Sequence, residues 1–130
     1  INPITIGART NIQDGSVVHV THASNYSEGY GCNIGSDVTV GHGCIIHACT
    51  IHDKSLIGMG SVILDGAIIE TKVIVGAKSL VPSGKKLESG FLYMGSPCKQ
   101  IRPLKDSEVE FLEYSANHYV RNKDDFLQSP

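Results

Sequence analysis

The chain has no tryptophan, only three Phe and five Tyr, and no apolar run approaching the ~18 residues that a membrane span requires. A core built on large rings and a single apolar membrane helix are both excluded. No basic segment followed by an apolar one opens the sequence, so no secretory signal is read there and a cytoplasmic protein is expected. An excess of one charge is also missing. Lys and Arg number 11 against 13 Asp and Glu, for a formal net charge of -2 and a pI near 6.3. That balance gives no electrostatic footprint for nucleic acid or a membrane surface, and small-molecule chemistry is the better expectation. The four cysteines, Cys32, Cys44, Cys49 and Cys98, lack CxxC spacing and the density of a stapled secreted domain, and read as reduced thiols. A length of 130 residues suits one domain with one core, and the start on Ile1 rather than Met reads as a fragment or processed form.

What the sequence does contain is a period. Branched apolar residues recur every six positions at Ile6, Ile12 and Val18, then Ile34, Val40 and Ile46, then Ile57, Ile63, Ile69, Val75 and Val81. Helical periodicity cannot sustain a strict six. Glycine follows the apolar residue at Gly7, Gly35, Gly41, Gly58 and Gly76. Small or β-branched residues stand four places after it at Val38, Cys44, Thr50, Ser61, Ala67, Val73 and Ser79. Each unit is therefore a short strand followed by a tight corner.

Over roughly residues 4–87 the pattern resembles the hexapeptide repeat of left-handed parallel β-helices, in which three hexads form one triangular coil of eighteen residues. The resemblance implies a mainly β fold with a narrow interior, and it alone supplies the hand. Two breaks interrupt the period. The step from Val18 to Ile34 is sixteen, so ten extra residues leave the coil as a loop within 21–33, and the step from Ile46 to Ile57 is eleven, so one corner is tightened.

After Leu104 the apolar spacing changes to three and four, through Val109, Leu112, Ala116, His118 or Tyr119, Val120 and Phe126. The expected architecture is a β-helix over 1–103 and one C-terminal α-helix over 104–130 packed against it or a neighbour. Asp106 or Ser107 can cap that helix, with Ser107 and Glu110 at capping-box spacing. Gly95-Ser96-Pro97 through Ile101-Arg102-Pro103 reads as the turn from coil to helix.

His19 follows Val18 and His47 follows Ile46, so both hold the same place in their hexads. Their separation of 28 residues, less the ten of the loop, is one full coil. Stacked one rung apart at ~4.8 Å and pointing outward, they can share a tetrahedral ion at ~2.1 Å from each ring. His42 lies two after Val40, near a corner, and cannot easily join them within one chain. In a three-fold assembly packed wall to wall it would face His19 and His47 of the next chain, which predicts a homotrimer with metal at each interface.

The segments Asn11-Ile12-Gln13-Asp14, His19, Val40-Gly41-His42 and His47, with Gly95-Ser96-Pro97 and the closing helix, resemble the γ-class carbonic anhydrases. The resemblance implies Zn2+, or Fe2+ or Co2+, held by His19 and His47 of one subunit and His42 of its neighbour, with an open fourth position. A water bound there falls to a pKa of ~7, and the hydroxide hydrates CO₂ reversibly. Gln13 would orient hydroxide or bicarbonate, Asn11 would hold Gln13 or substrate, and Asp14 would orient a ligand or pair across subunits. By analogy with a tyrosine of the family, Tyr114, Asn117 or Tyr119 would approach the metal. The acidic insertion with a proton-shuttling Glu that some members carry is absent, since only Glu28 lies in the loop.

Other readings accompany these. Asn11 and Gln13 could be a polar ladder on the coil wall. His22 and His52 read as surface residues, His118 as a packing or exposed one, Cys44 as core, and Cys49 as a corner residue near His47 able to join a mixed Cys/His site. The competing functions are a hexapeptide-repeat acyl-CoA transferase with one His as base, a thioesterase, and a catalytically silent metal-bound trimer.

Overall fold

The computed structural model describes residues 3–21 and 29–114. Its strands lie on three walls. The first wall holds β1 (Ile4–Ile6), β4 (Cys32–Ile34), β7 (Thr50–Ile51), β10 (Ile68–Ile69) and β13 (Lys86–Leu87). The second holds β2 (Asn11–Ile12), β5 (Thr39–Val40), β8 (Leu56–Ile57), β11 (Ile74–Val75), β14 (Phe91–Gly95) and β15 (Cys98–Pro103). The third holds β3 (Val17–His19), β6 (Ile45–His47), β9 (Val62–Ile63) and β12 (Leu80–Val81). Each strand pairs in parallel with the one a coil away, except β15, which returns antiparallel to β14. The fold is a left-handed parallel β-helix followed by a helix.

One branched apolar residue per strand fills the interior. Ile34, Val40, Ile46, Ile51, Ile57, Ile63, Ile69, Val75, Val81 and Leu87 are buried in a single column of stacked side chains. Branched aliphatics suit this place because they stack rung on rung at strand spacing without a ring to accommodate. Ile6, in the inward position of the first described rung, is 47% exposed. Small hydroxyls hold the corners. Ser55 donates to the Glu70 carbonyl at 2.8 Å and accepts from the Val73 amide at 3.1 Å, and Ser61 bridges Gly76 and Ser79 in the same way. Buried side-chain oxygens at the corners are thereby satisfied within the coil.

The corners turn on left-handed backbone. Arg9, Asp37, Lys54 and Lys72 stack along one edge at φ of 54, 57, 59 and 57°, tied by amide bonds such as Asp37 to the Ala8 carbonyl at 2.9 Å. A non-glycine residue in that region costs about 1 kcal/mol, so the rungs above and below hold it there.

Several boundaries differ from the sequence expectation. The shortened step lies between Ile46 and Ile51, where Ala48 turns at φ 48°. That corner moves Cys49 into the interior position expected for Thr50, and Thr50 stands half-buried on β7. Cys49 packs inside the coil beside Cys32 and not at a surface corner. The loop within 21–33 gives way to β4 at Cys32, and the Thr21 amide bonds the Tyr30 carbonyl at 3.0 Å across its base. Residues 98–103 form β15 of a hairpin and are not a plain link.

The helix runs from 106 through 114 among the described residues. Its cap uses Glu108, which accepts from the Lys105 amide at 2.8 Å, in place of the expected Ser107–Glu110 pair. Arg102 grips the same carboxylate at 2.6 and 2.9 Å and holds its pKa at about 2. Leu112 is buried, and Lys54 pairs with Glu113 at 3.3 Å, so this turn lies over the second wall. No helix among the described residues is long and apolar enough to cross a membrane.

Two glycines separate contact from conformation. A Cβ on Gly58 would stand 2.6 Å from the Ala77 amide nitrogen of the next rung, whereas one on Gly43, at φ 66°, would meet nothing within 4 Å. Gly58→Ala is expected to destabilise by about 3 kcal/mol or more and Gly43→Ala by about 1 kcal/mol, measured by chemical denaturation. Equal losses would contradict the tight rung packing.

Candidate metal centre

The register of the third wall pairs Val17 with Ile45, Val18 with Ile46 and His19 with His47. The middle residues point in, so the flanking ones point out. The two imidazoles stack with ring centroids 5.0 Å apart and planes within 16°. His19 Nδ1 lies 3.1 Å from His47 Nε2. Nitrogens sharing a tetrahedral ion at ~2.1 Å each stand about 3.4 Å apart, so this pair is close to the edge of such a site.

A carboxylate stands behind the pair. Asp65 Oδ1 contacts His47 Nδ1, and its other oxygen accepts from the Thr21 hydroxyl. Burial pushes the Asp65 carboxyl up, and the hydrogen bonds from Thr21 and His47 with the His47 charge more than reverse this, so its pKa lies below the ordinary value. In a neutral His47 the Nδ1 hydrogen faces the carboxylate, which leaves the Nε2 lone pair facing His19. Asp65 and Thr21 did not stand out in the sequence. The signal was a carboxylate eighteen residues after His47.

His42 is not part of this cluster. It occupies the corner between β5 and β6, exposed, and lines a groove of about 320 Å³ with Gln13, Leu56, Met59 and Phe111. Among the described residues of one chain, no three His, Cys, Asp or Glu side chains converge as a metal site. The donor set of this chain fits a zinc-type ion as two imidazoles with a carboxylate behind one, and it is short of a third ligand.

On the second wall the Gln13 amide donates to Asn11 Oδ1 at 3.2 Å, and the Asn11 amide donates to Thr39 Oγ1 at 3.3 Å. Asn11 therefore holds Gln13, which faces the groove beside His42. Asp14 is exposed, one rung from His42, with its carbonyl accepting from the Gly43 amide at 3.0 Å. His52 is exposed on the first wall, away from the pair. Tyr114 is exposed at the last described helical turn, while Asn117, Tyr119, His118, His22 and Glu28 lie outside the described residues.

Cys49 is closed off from His47's outer face by its burial, which removes the mixed Cys/His site. Its side chain hydrogen-bonds Cys32. That bond pulls the Cys32 thiol down to about 7 and, with burial, pushes the Cys49 thiol up. Cys44 is interior, donating to the Gly58 carbonyl at 3.2 Å.

No protein-family model matches the sequence. Individual relatives do. Protein YrdA of Escherichia coli is 59% identical over 128 residues, covering 98% of this chain and 70% of that protein. A mitochondrial γ carbonic anhydrase 2 of Arabidopsis thaliana is 39% identical over 120 residues, covering 92% of this chain and 43% of that protein. The crystal structure of a hexapeptide transferase family protein from Anaplasma phagocytophilum superposes with a TM-score of 0.84 at 38% identity, covering 93% of this chain and 68% of the other. The chain belongs to the γ-carbonic-anhydrase-like family of hexapeptide-repeat proteins.

The Thr39–Asn11–Gln13 chain is open to a direct test. Asn11→Ala should release the Gln13 amide into several rotamers, seen by side-chain amide NMR, at a cost of about 1 kcal/mol in stability. A Gln13 that stays in one rotamer would show that the groove itself holds it.

Proposed function

We propose that the chain forms a cytoplasmic homotrimer in which His19 and His47 of one subunit and His42 of the next hold Zn2+, with Fe2+ or Co2+ as substitutes. The assembly catalyses the reversible hydration of CO₂. The observation that carries this reading is the stacked His19/His47 pair with Asp65 behind it, a half-site whose geometry suits a metal and whose missing donor stands exposed on another corner. When bound, the metal supplies Lewis acidity that makes water nucleophilic near neutral pH.

The chain's own residues do the rest. His47 is held by Asp65 through Nδ1, which leaves its Nε2 lone pair facing His19. Gln13, steadied by Asn11, offers an amide to orient CO₂ or bicarbonate in the groove beside His42. Asp14, exposed one rung from His42, would orient a ligand or form an ion pair across the subunit contact.

The wall that carries the half-site also favours assembly. Val17 and Ile45 are 51% and 43% exposed beside the histidines and continue in register into Val62 and Leu80. Such an apolar stripe on an outer face gains by burial against a neighbour. The four unpaired thiols suit a reducing compartment.

A second reading, acyl transfer or thioester hydrolysis, is supported by the likeness to a hexapeptide transferase family protein and by the apolar lining that Met59 and Phe111 give the groove. A silent metal-bound trimer is the third. One set of assays separates them. Zinc-loaded or anaerobically iron-loaded protein should hydrate CO₂ in stopped-flow measurements, and His47→Ala or removal of metal by a chelator should return the rate to that of buffer. Equal rates for wild type and His47→Ala would remove the carbonic anhydrase reading. Acyl transfer by metal-free protein that survives His19→Ala would favour the transferase, and full metal occupancy without turnover the silent trimer.

A further inference from the structure

We infer that Asp65 is the positioning residue of the histidine pair: its carboxylate bridges His47 and Thr21, selects the His47 tautomer, and ties the base of the excursion after β3 to the site. The bridge uses both oxygens, Oδ1 on His47 Nδ1 and Oδ2 on the Thr21 hydroxyl. Its backbone is fixed from the next rung, where the Gly84 amide bonds the Asp65 carbonyl at 3.0 Å. The following residue, Gly66, packs on Tyr30, since a Cβ there would stand 3.4 Å from Tyr30 Cζ. Thr21 and Tyr30 are themselves joined by the 3.0 Å amide bond at the base of the excursion. Asp65-Gly66 thus contacts both ends of that base and one imidazole of the pair.

The chemical consequence concerns a single hydrogen. A free neutral imidazole exchanges its hydrogen between Nδ1 and Nε2, and only the form with hydrogen on Nδ1 leaves the Nε2 lone pair facing His19. A carboxylate on Nδ1 selects that form and fixes the ring plane. His19 has no carboxylate partner among the described residues and faces His47 through its own Nδ1. The order within the pair is therefore asymmetric, with His47 fixed by Asp65 and His19 fixed through His47.

The zinc arm of the test rests on the metal reading, whereas the tautomer arm uses metal-free protein and stands without it. Nitrogen NMR of His47 in metal-free wild type should report hydrogen on Nδ1, and Asp65→Ala should move the population toward hydrogen on Nε2. Asp65→Asn, whose NH2 donates to Nδ1 while its oxygen accepts from Thr21, should move the tautomer in the same direction and is the near-isosteric variant if Asp65→Ala does not fold. Thr21→Val, which leaves the Asp65–His47 contact in place, should keep the wild-type tautomer and is the control for loss of the Thr21 bond alone. Competition with a chromophoric chelator should show zinc binding weakened about 10- to 100-fold by Asp65→Ala and by Asp65→Asn, and far less by Thr21→Val. An unchanged His47 tautomer in both Asp65→Ala and Asp65→Asn would overturn the assignment. Absence of zinc binding in wild type, with the tautomer shift intact, would remove the metal reading and leave the positioning role standing.

Discussion

The parallel register between successive coils is the constraint on which the rest of the molecule depends. Each strand is only two or three residues long over most of the solenoid, so no strand is stable by itself, and each is fixed by amide bonds to the rungs above and below. The interior column of Ile and Val residues sets that register, because a slip of one residue would turn the column outward. His19 lies over His47 as a by-product of Val18 lying over Ile46. The excursion after β3 costs nothing in alignment, since its base closes between Thr21 and Tyr30 and the coil resumes in phase.

The repeat was legible in the sequence because the interior accepts one kind of residue at one place. Ile34 through Val81 could be counted, and the outward stacking of His19 and His47 followed from the count. What escaped the count has physical causes. The corner after Ile46 is one residue short, so Ile46 pairs with Ile63, 17 positions on. That moves Cys49 inward in place of Thr50, and it brings Asp65 to His47 from a corner instead of from the matching strand position. The hairpin of β14 and β15 was hidden because an antiparallel return carries no hexad signal. The helix cap was hidden because Glu108 serves both Arg102 and the Lys105 amide, a choice made by tertiary contact.

Within one chain no three metal-ligating side chains converge among the described residues. The third wall supplies two stacked imidazoles with a carboxylate behind them, and the corner at His42 points into a separate groove with Gln13. In the proposed trimer, burial of the apolar stripe of Val17, Ile45, Val62 and Leu80 beside the pair would carry a neighbour's His42 to the pair. The proposal divides the ligands between the third wall and the corner at His42 because one chain's described residues bring only two imidazoles together.

Subunit mixing tests the shared site most directly. His42→Ala and His47→Ala chains, each inactive alone, are unfolded together, refolded as mixed trimers with zinc, and assayed for CO₂ hydration. If each site is shared between neighbours, an intact one forms wherever a His42→Ala chain offers its His19/His47 pair to the His42 of a His47→Ala chain. Activity then returns to about a quarter of the wild-type rate, the share of such interfaces in random assembly. Mixed trimers that remain as inactive as either variant alone would contradict a metal centre divided between two subunits.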